Sequence, residues 1–247
     1  MTVTYGAGGG TRDKTFELVR YIKKDLAKKA VAHLTCAGHS KDEINSILQK
    51  YKENSINYIL ALRGDPPKGE SKFIPHPDGF SCARDLVSYI RENFNFSIAV
   101  AGYPETHKEA VSPQADIDYL KEKVDAGAEL IVTQLFFSAN IYNHFIERVR
   151  KAGINVPVLP GIMPISNYKQ LIRFTTMCGA SVPAWISNKL EQIKDNRESV
   201  IKFGIDQAVS LCRDLLKSGA PGIHLYTLNK SAQVEEIVKI LKKDALL

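Results

Sequence analysis

The sequence predicts an α/β protein of the (β/α)8 TIM-barrel class, and three observations carry this prediction. Short apolar runs alternate with amphipathic stretches along the 247 residues. The apolar runs are continuous, as in parallel strands that are buried on both faces. Polar residues of ligand-binding types follow nearly every run at its carboxyl end, which is where such barrels place their active sites.

The predicted strands are brief and bounded by Gly, Pro or polar residues: Val3 to Tyr5, Val31 to Leu34, Tyr58 to Leu62, Ile98 to Ala101, Leu130 to Thr133, Val156 to Leu159 and Ile223 to Tyr226. The predicted helices show apolar residues at helical spacing: Asp13 to Lys28, Lys41 to Glu53, Ala83 to Asn93, Gln114 to Ala126, Ile141 to Lys151, Tyr168 to Met177 and Ser199 to Lys217. A further short helix is expected within Val182 to Asp195. Helix caps are expected at Ser40 and Ser112 at amino ends and at Gly127, Gly153 and Gly219 at carboxyl ends.

Composition and charge limit the classes of function that we expect for the chain. With 44% hydrophobic residues the chain can bury a large core, and we expect residues 1–247 to form one domain. The net charge is +6, but the lysines are scattered over helix faces, which favours a small anionic molecule over nucleic acid. The four cysteines form no Cys-x-x-Cys pair, so no metal site and no disulfide framework is indicated. No apolar run reaches membrane-spanning length, and we expect a cytoplasmic protein without membrane contact.

The polar residues at the strand ends favour a barrel over a doubly wound sheet. A doubly wound sheet concentrates its site at one switch point, whereas here almost every strand end carries polar groups. The glycines after the first strand are not followed by an acid-tipped second strand, so we interpret them as a flexible loop. Seven strands do not close an eight-stranded barrel. We therefore expect the first strand and helix to be missing.

The segment from Ala61 to Pro67 illustrates such an end. After a buried strand come a cation, a glycine and an acid, Arg63, Gly64 and Asp65, and then two prolines. Gly64 permits a positive φ or a close approach of backbone to a ligand. Taken alone, the segment fits a charged-ligand site and an Arg-Asp surface pair equally well.

Taken together, the strand ends resemble the methylenetetrahydrofolate reductase family, in order and at matching spacing from residue 3 to about residue 230. The motifs are Tyr5-Gly6-Ala7-Gly8-Gly9, His33-Leu34-Thr35-Cys36, Leu62-Arg63-Gly64-Asp65, Tyr103-Pro104-Glu105 with His107, the run Asp116 to Gln134, Pro160-Gly161-Ile162-Met163-Pro164 and Tyr226-Thr227-Leu228-Asn229. The resemblance implies a flavoprotein that uses FAD and NADH or NADPH to reduce 5,10-methylenetetrahydrofolate to 5-methyltetrahydrofolate, in one-carbon metabolism and methionine biosynthesis. It also implies a homo-oligomer.

The resemblance assigns site residues position by position. The cofactor contacts that it implies are Thr4, Tyr5, Ala7, His33, Arg63, Gly64, Asp65, Ala83, Ala101, Tyr103, His107, Asp116 and Lys123. The substrate contacts that it implies are Asp65, Gln134, Gln170, Phe174 and Lys230. Without the family, Tyr103 and Phe174 would fit core packing, and Asp116 and Lys123 would fit solvated helix charges.

The chain departs from the family pattern in two respects. Lys230 stands where the family usually has arginine, which keeps the charge and loses the bidentate fork. The family's general acid is a glutamate on the first strand, and this sequence begins after that motif, so Asp65 is the one catalytic candidate. Three functions follow: a reductase whose sequence here is truncated and whose parent protein is active, a flavin- or folate-binding barrel without turnover, and a flavin-free lyase or aldolase with Lys230 as a Schiff-base amine. In the absence of the first unit, two unpaired strand edges would favour aggregation.

Overall fold

The computed structural model describes residues 1–5, 9–66 and 72–246, and it describes no side chains for residues 9–13. The strands are β1 (Thr2–Val3), β2 (Val31–Thr35), β3 (Tyr58–Leu62), β4 (Ser97–Gly102), β5 (Leu130–Leu135), β6 (Val158–Ile162) and β7 (His224–Leu225). The helices are α1 (Gly9–Lys24), α2 (Lys41–Glu53), α3 (Ala83–Asn93), α4 (Pro113–Asp125), α5 (Ala139–Lys151), α6 (Tyr168–Cys178), α7 (Ala184–Ile193), α8 (Arg197–Lys217) and α9 (Ala232–Lys243).

The strands follow one another in the sheet in chain order, from β1 to β7. Every described pairing is parallel, and each strand is followed by at least one helix. A doubly wound sheet reverses its strand order at a switch point, and no reversal occurs among the described strands. The prediction of an α/β barrel fold with seven parallel strands is therefore confirmed.

The chain forms two compact units, residues 1–101 with 122–130, and residues 102–121 with 131–247. In the first unit β1 to β4 pair in register, and Glu129 N–H donates to Ile98 O at 2.8 Å, which places the start of β5 beside β4. The interiors of β3 and β4 are buried, as continuous apolar runs require. The expectation of one domain stays a prediction.

The second unit has its own apolar core. Its sheet pairs β5, β6 and β7, with a register shift between Val132 and Leu135. A cluster of buried side chains lies between this sheet and helices α6, α7 and α8. Its members are Leu135, Phe137, Met163, Ile165, Leu171, Ile186, Leu190 and Val200.

Capping residues explain several helix bounds. Ser40 accepts from Glu43 N–H while the Glu43 carboxylate accepts from Ser40 N–H, a complete capping box at the start of α2. Ser112 Oγ accepts from Ala115 N–H at the start of α4. The expected amino-terminal caps are confirmed, and Gly127, Gly153 and Gly219 all have the positive φ of residues that end helices.

Some bounds differ from the sequence prediction. Helix α9 was missed, although Ile237 and Leu241, one turn apart and buried, carry its signal. The prediction for β6 ended at Leu159, whereas the strand continues through Gly161 to Ile162. Glycine normally interrupts strands, but here it belongs to the ladder.

Basic residues gather in the last turns of helices in both units, where they complement the helix dipole. They are Lys23 and Lys24 in α1, Lys50 and Lys52 in α2, Arg148, Arg150 and Lys151 in α5, and Lys242 and Lys243 in α9. Within the described residues, no helix is both long enough and apolar enough to span a bilayer.

Candidate active site

The loop after β3 continues the sheet pairing beyond the strand itself. Cys36 N–H donates to Leu62 O and Ala37 N–H donates to Arg63 O, both at 3.1 Å. Gly64 has a φ of +90°, and a Cβ built there would lie 2.8 Å from the Ala37 Cβ. Both the dihedral angle and the contact require glycine. The expected special backbone position at Gly64 is confirmed.

The charged side chains of this loop have different environments. Arg63 is half-buried, and its guanidinium carbon lies 5.0 Å from the centroid of the Phe73 ring. Asp65 is exposed. Contact with the face of an aromatic ring restrains a guanidinium. The loop thus presents a positioned cation and an accessible carboxylate next to each other.

The cysteine beside this loop is a structural residue. Cys36 is fully buried, and its Sγ donates to Cys82 O at 3.3 Å and to Leu62 O at 3.5 Å. Burial raises the pKa of the Cys36 thiol to about 12, and the same cause raises that of Cys212 to about 12. A neutral thiol is a poor nucleophile. Within the described residues, no disulfide joins the four cysteines.

Two hydrogen bonds fix Thr4 and Tyr5, the residues that directly follow β1. The Tyr5 hydroxyl and His39 Nε2 form a buried hydrogen bond of 2.8 Å, and Glu43 Oε2 lies 3.7 Å from His39 Nδ1. Thr15 Oγ1 donates to Thr4 O at 3.0 Å. The sequence prediction missed His39, whose signal is its place directly before the capping box. Ala7 lies outside the described residues.

The ammonium group of Lys123, a residue of α4, is buried at the end of β4. Lys123 is 5% exposed, and its Nζ donates to Ala101 O at 2.6 Å. A solvated helix charge was the alternative that the sequence alone favoured, and it is wrong for this residue. Burying an ammonium group is costly, and the hydrogen bond to Ala101 O offsets part of this cost. His33 is half-buried on β2, and Ala83 is buried at the first position of α3.

In the second unit, the turn after β4 brings Tyr103 and His107 together. Their rings meet edge to face, with centroids 4.5 Å apart. Asp116 Oδ2 accepts from His107 N–H at 3.0 Å, so the half-buried carboxylate fixes the turn. Three of the residues that the resemblance assigns to the cofactor thus lie in one hydrogen-bonded and packed group.

The two glutamines assigned to the substrate are engaged by protein groups through their carbonyl oxygens. Gln134 Oε1 accepts from Leu135 N–H at 2.9 Å, and Gln170 Oε1 accepts from Ser166 Oγ at 3.0 Å. In this arrangement each side chain presents its NH2 group as a donor.

Helix α6 carries Gln170 and Phe174, one turn apart. Phe174 packs against the core cluster of the second unit and remains half-buried, so it is partly a core residue. Asn167 caps the helix by accepting from Gln170 N–H at 2.9 Å. Lys230 is exposed at the end of a turn in which its N–H donates to Thr227 O. Schiff-base lysines are typically desolvated, so this position does not favour the lyase alternative.

A hydrogen-bonded group missed by the sequence prediction joins the ends of β5, β6 and β7. Tyr226 donates its hydroxyl to Thr133 O at 2.8 Å, and Gly161 N–H donates to Thr133 Oγ1 at 2.9 Å. Burial raises the pKa of Tyr226 above its usual range. A Cβ at Gly161 would lie 2.3 Å from Thr133 O. These contacts fix the strand end that carries Gln134.

The fold and the strand-end residues define a protein of parallel βα units that carries cationic, carboxylate and amide side chains at the ends of its strands. A family model described as methylenetetrahydrofolate reductase matches residues 1–242. The chain is 41% identical over 231 residues to 5,10-methylenetetrahydrofolate reductase of Escherichia coli (strain K12), covering 94% of this chain and 76% of that protein. The chain belongs to the methylenetetrahydrofolate reductase family.

Other similarities extend this assignment. The chain is 44% identical over 238 residues to "Methylenetetrahydrofolate reductase (NADH) 1" of Arabidopsis thaliana, and it spans 40% of the length of that relative. A solved structure of an uncharacterized protein from Clostridium thermocellum, which binds two copies of 5-methyl-5,6,7,8-tetrahydrofolic acid, aligns with a TM-score of 0.56 at 15% identity. The alignment covers 91% of this chain and 77% of that chain. At this identity the likeness shows a shared fold.

Proposed function

We propose that this chain reduces 5,10-methylenetetrahydrofolate to 5-methyltetrahydrofolate with bound FAD, and that NADH is the reductant. The observation that carries the proposal is the loop after β3, where stacked Arg63, left-handed Gly64 and exposed Asp65 follow one another in a chain of this family. The names of the plant relatives favour NADH over NADPH. The role in one-carbon metabolism and methionine biosynthesis, the cytoplasmic location and the homo-oligomer belong to the same proposal.

The described donors fit an anionic flavin dinucleotide. Buried Lys123 and half-buried Arg63 supply positive charge, which suits a diphosphate. When bound, FAD would accept hydride from the nicotinamide and pass it to the folate. The residues proposed to hold it are Thr4, Tyr5, Ala7, His33, Arg63, Gly64, Asp65, Ala83, Ala101, Tyr103, His107, Asp116 and Lys123.

Asp65 is the proposed catalytic residue. Before it accepts hydride, the substrate takes up a proton on the departing ring nitrogen and opens to a cationic iminium, and a nearby carboxylate stabilises this positive charge. Gln134 and Gln170 would donate from their NH2 groups to acceptor atoms of the pterin, since their carbonyl oxygens are engaged by Leu135 N–H and Ser166 Oγ. Phe174 would pack against the folate ring. Lys230 would attract the glutamate tail.

Separate half-reactions test the proposal. The purified chain should bind FAD, lose its flavin absorbance on anaerobic addition of NADH, and regain it on addition of 5,10-methylenetetrahydrofolate. Asp65→Asn should slow the folate step by about 10²-fold, which is typical for loss of one electrostatic stabiliser. Asp206→Asn, at an exposed position on α8, is the matched control.

Two results would count against this function. Equal folate rates for Asp65→Asn and Asp206→Asn would exclude the role of Asp65. A flavin that is reduced by NADH but is not reoxidised by the folate would instead support the binding protein without turnover.

A further inference from the structure

The turn after β4, residues 103–108, contains a strained residue. Thr106 has a φ of +75°, which is rare for a β-branched side chain. Its N–H donates to Tyr103 O at 3.1 Å, which closes the turn. Such a conformation is costly and persists where surrounding contacts determine it. The residues on either side of Thr106 should therefore be held firmly.

Glu105 holds one side of this turn. Ser181 N–H lies 3.1 Å from Glu105 Oε1 and 3.0 Å from Glu105 Oε2, and Ser181 Oγ donates to the same carboxylate. Ser181 follows helix α6 and is 76 residues away in sequence. Hydrogen bonds to a carboxylate are stronger than neutral ones. The contact therefore joins the turn to the segment in which α6 ends.

Lys108 makes a second connection to the same helix end. Its Nζ donates to Thr176 O in the last turn of α6, where a cation also complements the helix dipole. The Lys108 stem covers Gly179, the left-handed residue that ends α6, since a Cβ built on Gly179 would lie 3.1 Å from Lys108 Cγ. Two side chains of one strained turn thus hold the carboxyl end of α6.

We propose that Glu105, assisted by Lys108, is a positioning residue that fixes α6 and thereby the substrate-facing Gln170 and Phe174. What α6 binds rests on the proposed function. The same turn carries Tyr103 and His107, so the proposed cofactor contacts and the substrate helix belong to one connected structure. Glu105 itself needs no contact with substrate or cofactor for this role.

The proposal predicts a selective defect. Glu105→Ala removes all three hydrogen bonds to Ser181, and we expect the KM for 5,10-methylenetetrahydrofolate to rise about 5- to 10-fold. The rate of flavin reduction by NADH should stay within twofold of wild type. Ser181→Ala keeps the two bonds of the backbone N–H and should raise the KM less than threefold. Lys108→Met should act in the same direction as Glu105→Ala.

Hydrogen exchange supplies a readout that needs no activity. In Glu105→Ala, amides in the carboxyl-terminal half of α6 should exchange at least fivefold faster, while those of α9 stay unchanged. Glu147→Ala, at an exposed position on α5, is the control for loss of a surface glutamate. If wild type does not reduce the folate, the proposed function fails, while the exchange data still decide on the connection.

The proposal is overturned if Glu105→Ala and Lys108→Met both leave α6 exchange at the wild-type level. It is also overturned if the two variants impair the NADH and folate steps equally, because that pattern indicates general destabilisation. If Glu105→Ala does not fold, the kinetic and hydrogen-exchange measurements on Lys108→Met and Ser181→Ala test the proposal in its place.

Discussion

Replacing Gly204 by alanine measures how closely helix α8 is packed on the segment after β6. Gly204 is buried in the middle of α8, and a Cβ built there would lie 1.9 Å from the carbonyl oxygen of Ile165. That oxygen also accepts from Gln233 Nε2 at 3.0 Å. Both the helix and the carbonyl are therefore restrained, and the added methyl group cannot be accommodated by a side-chain rotation.

The loss of stability in Gly204→Ala follows from the 1.9 Å between the added Cβ and Ile165 O. Carbon and oxygen atoms in such contacts stay about 3.3 Å apart, so the helix and the loop would have to separate by about 1.4 Å. Overpacking costs about 1–3 kcal/mol, and a backbone obstacle favours the upper value. Alanine regains about 1 kcal/mol of helix propensity. We expect Gly204→Ala to lower the free energy of unfolding by about 2 kcal/mol and Tm by about 4–8 °C.

The assay is thermal and urea unfolding of the full chain, followed by circular dichroism. Ser210→Ala introduces the same residue on the exposed side of the same helix and should change stability by no more than about 0.5 kcal/mol. If Gly204→Ala has a Tm equal to or above that of Ser210→Ala, the packing argument is wrong.

Three further predictions concern the buried cysteines, His224 and Lys230. Because their thiols have pKa values raised by burial to about 12, Cys36 and Cys212 should resist iodoacetamide at pH 8 until the chain unfolds, as mass spectrometry can show. Burial lowers the pKa of His224, so the unfolded state binds more protons below about pH 6.5, and stability should fall as the pH drops through that range. His224→Gln should remove this slope in urea titrations, and His144→Gln, at an exposed position, should keep it. Lys230→Arg should lower the KM for the folate a few-fold, and an unchanged KM would contradict a role in binding the glutamate tail.

The regular elements were largely predictable because their signals are local. Helices α2 and α3 begin and end at the predicted residues, since the Ser40 cap of α2 and the apolar spacing of both helices are signals within a few positions. The end of β6 was not predictable in this way. Gly161 resembles a strand breaker in sequence, and its place in the strand depends on Thr133 and Tyr226, which are distant along the chain.

In the site, too, the features with a local sequence signal were predictable and those set by distant residues were not. The strand-end residues could be found from the sequence because each follows an apolar run directly. The partners that orient them could not, because Ser181 meets Glu105 across 76 residues. Lys123 was predicted through the resemblance, but its burial at the end of β4 depends on the fold. Side-chain orientation in the two glutamines likewise depends on neighbours, Leu135 N–H and Ser166 Oγ.

The basic last turns of α1, α2, α5 and α9 have a consequence for handling the protein. A helix that follows a parallel strand runs back towards the amino ends of the strands, so within each unit these turns lie opposite the strand ends that carry the site. On a cation-exchange resin at low ionic strength, where Debye screening is weak, each unit should adsorb through that basic face. Immobilisation on a sulfonated support would then leave the carboxyl ends of the strands open to solvent.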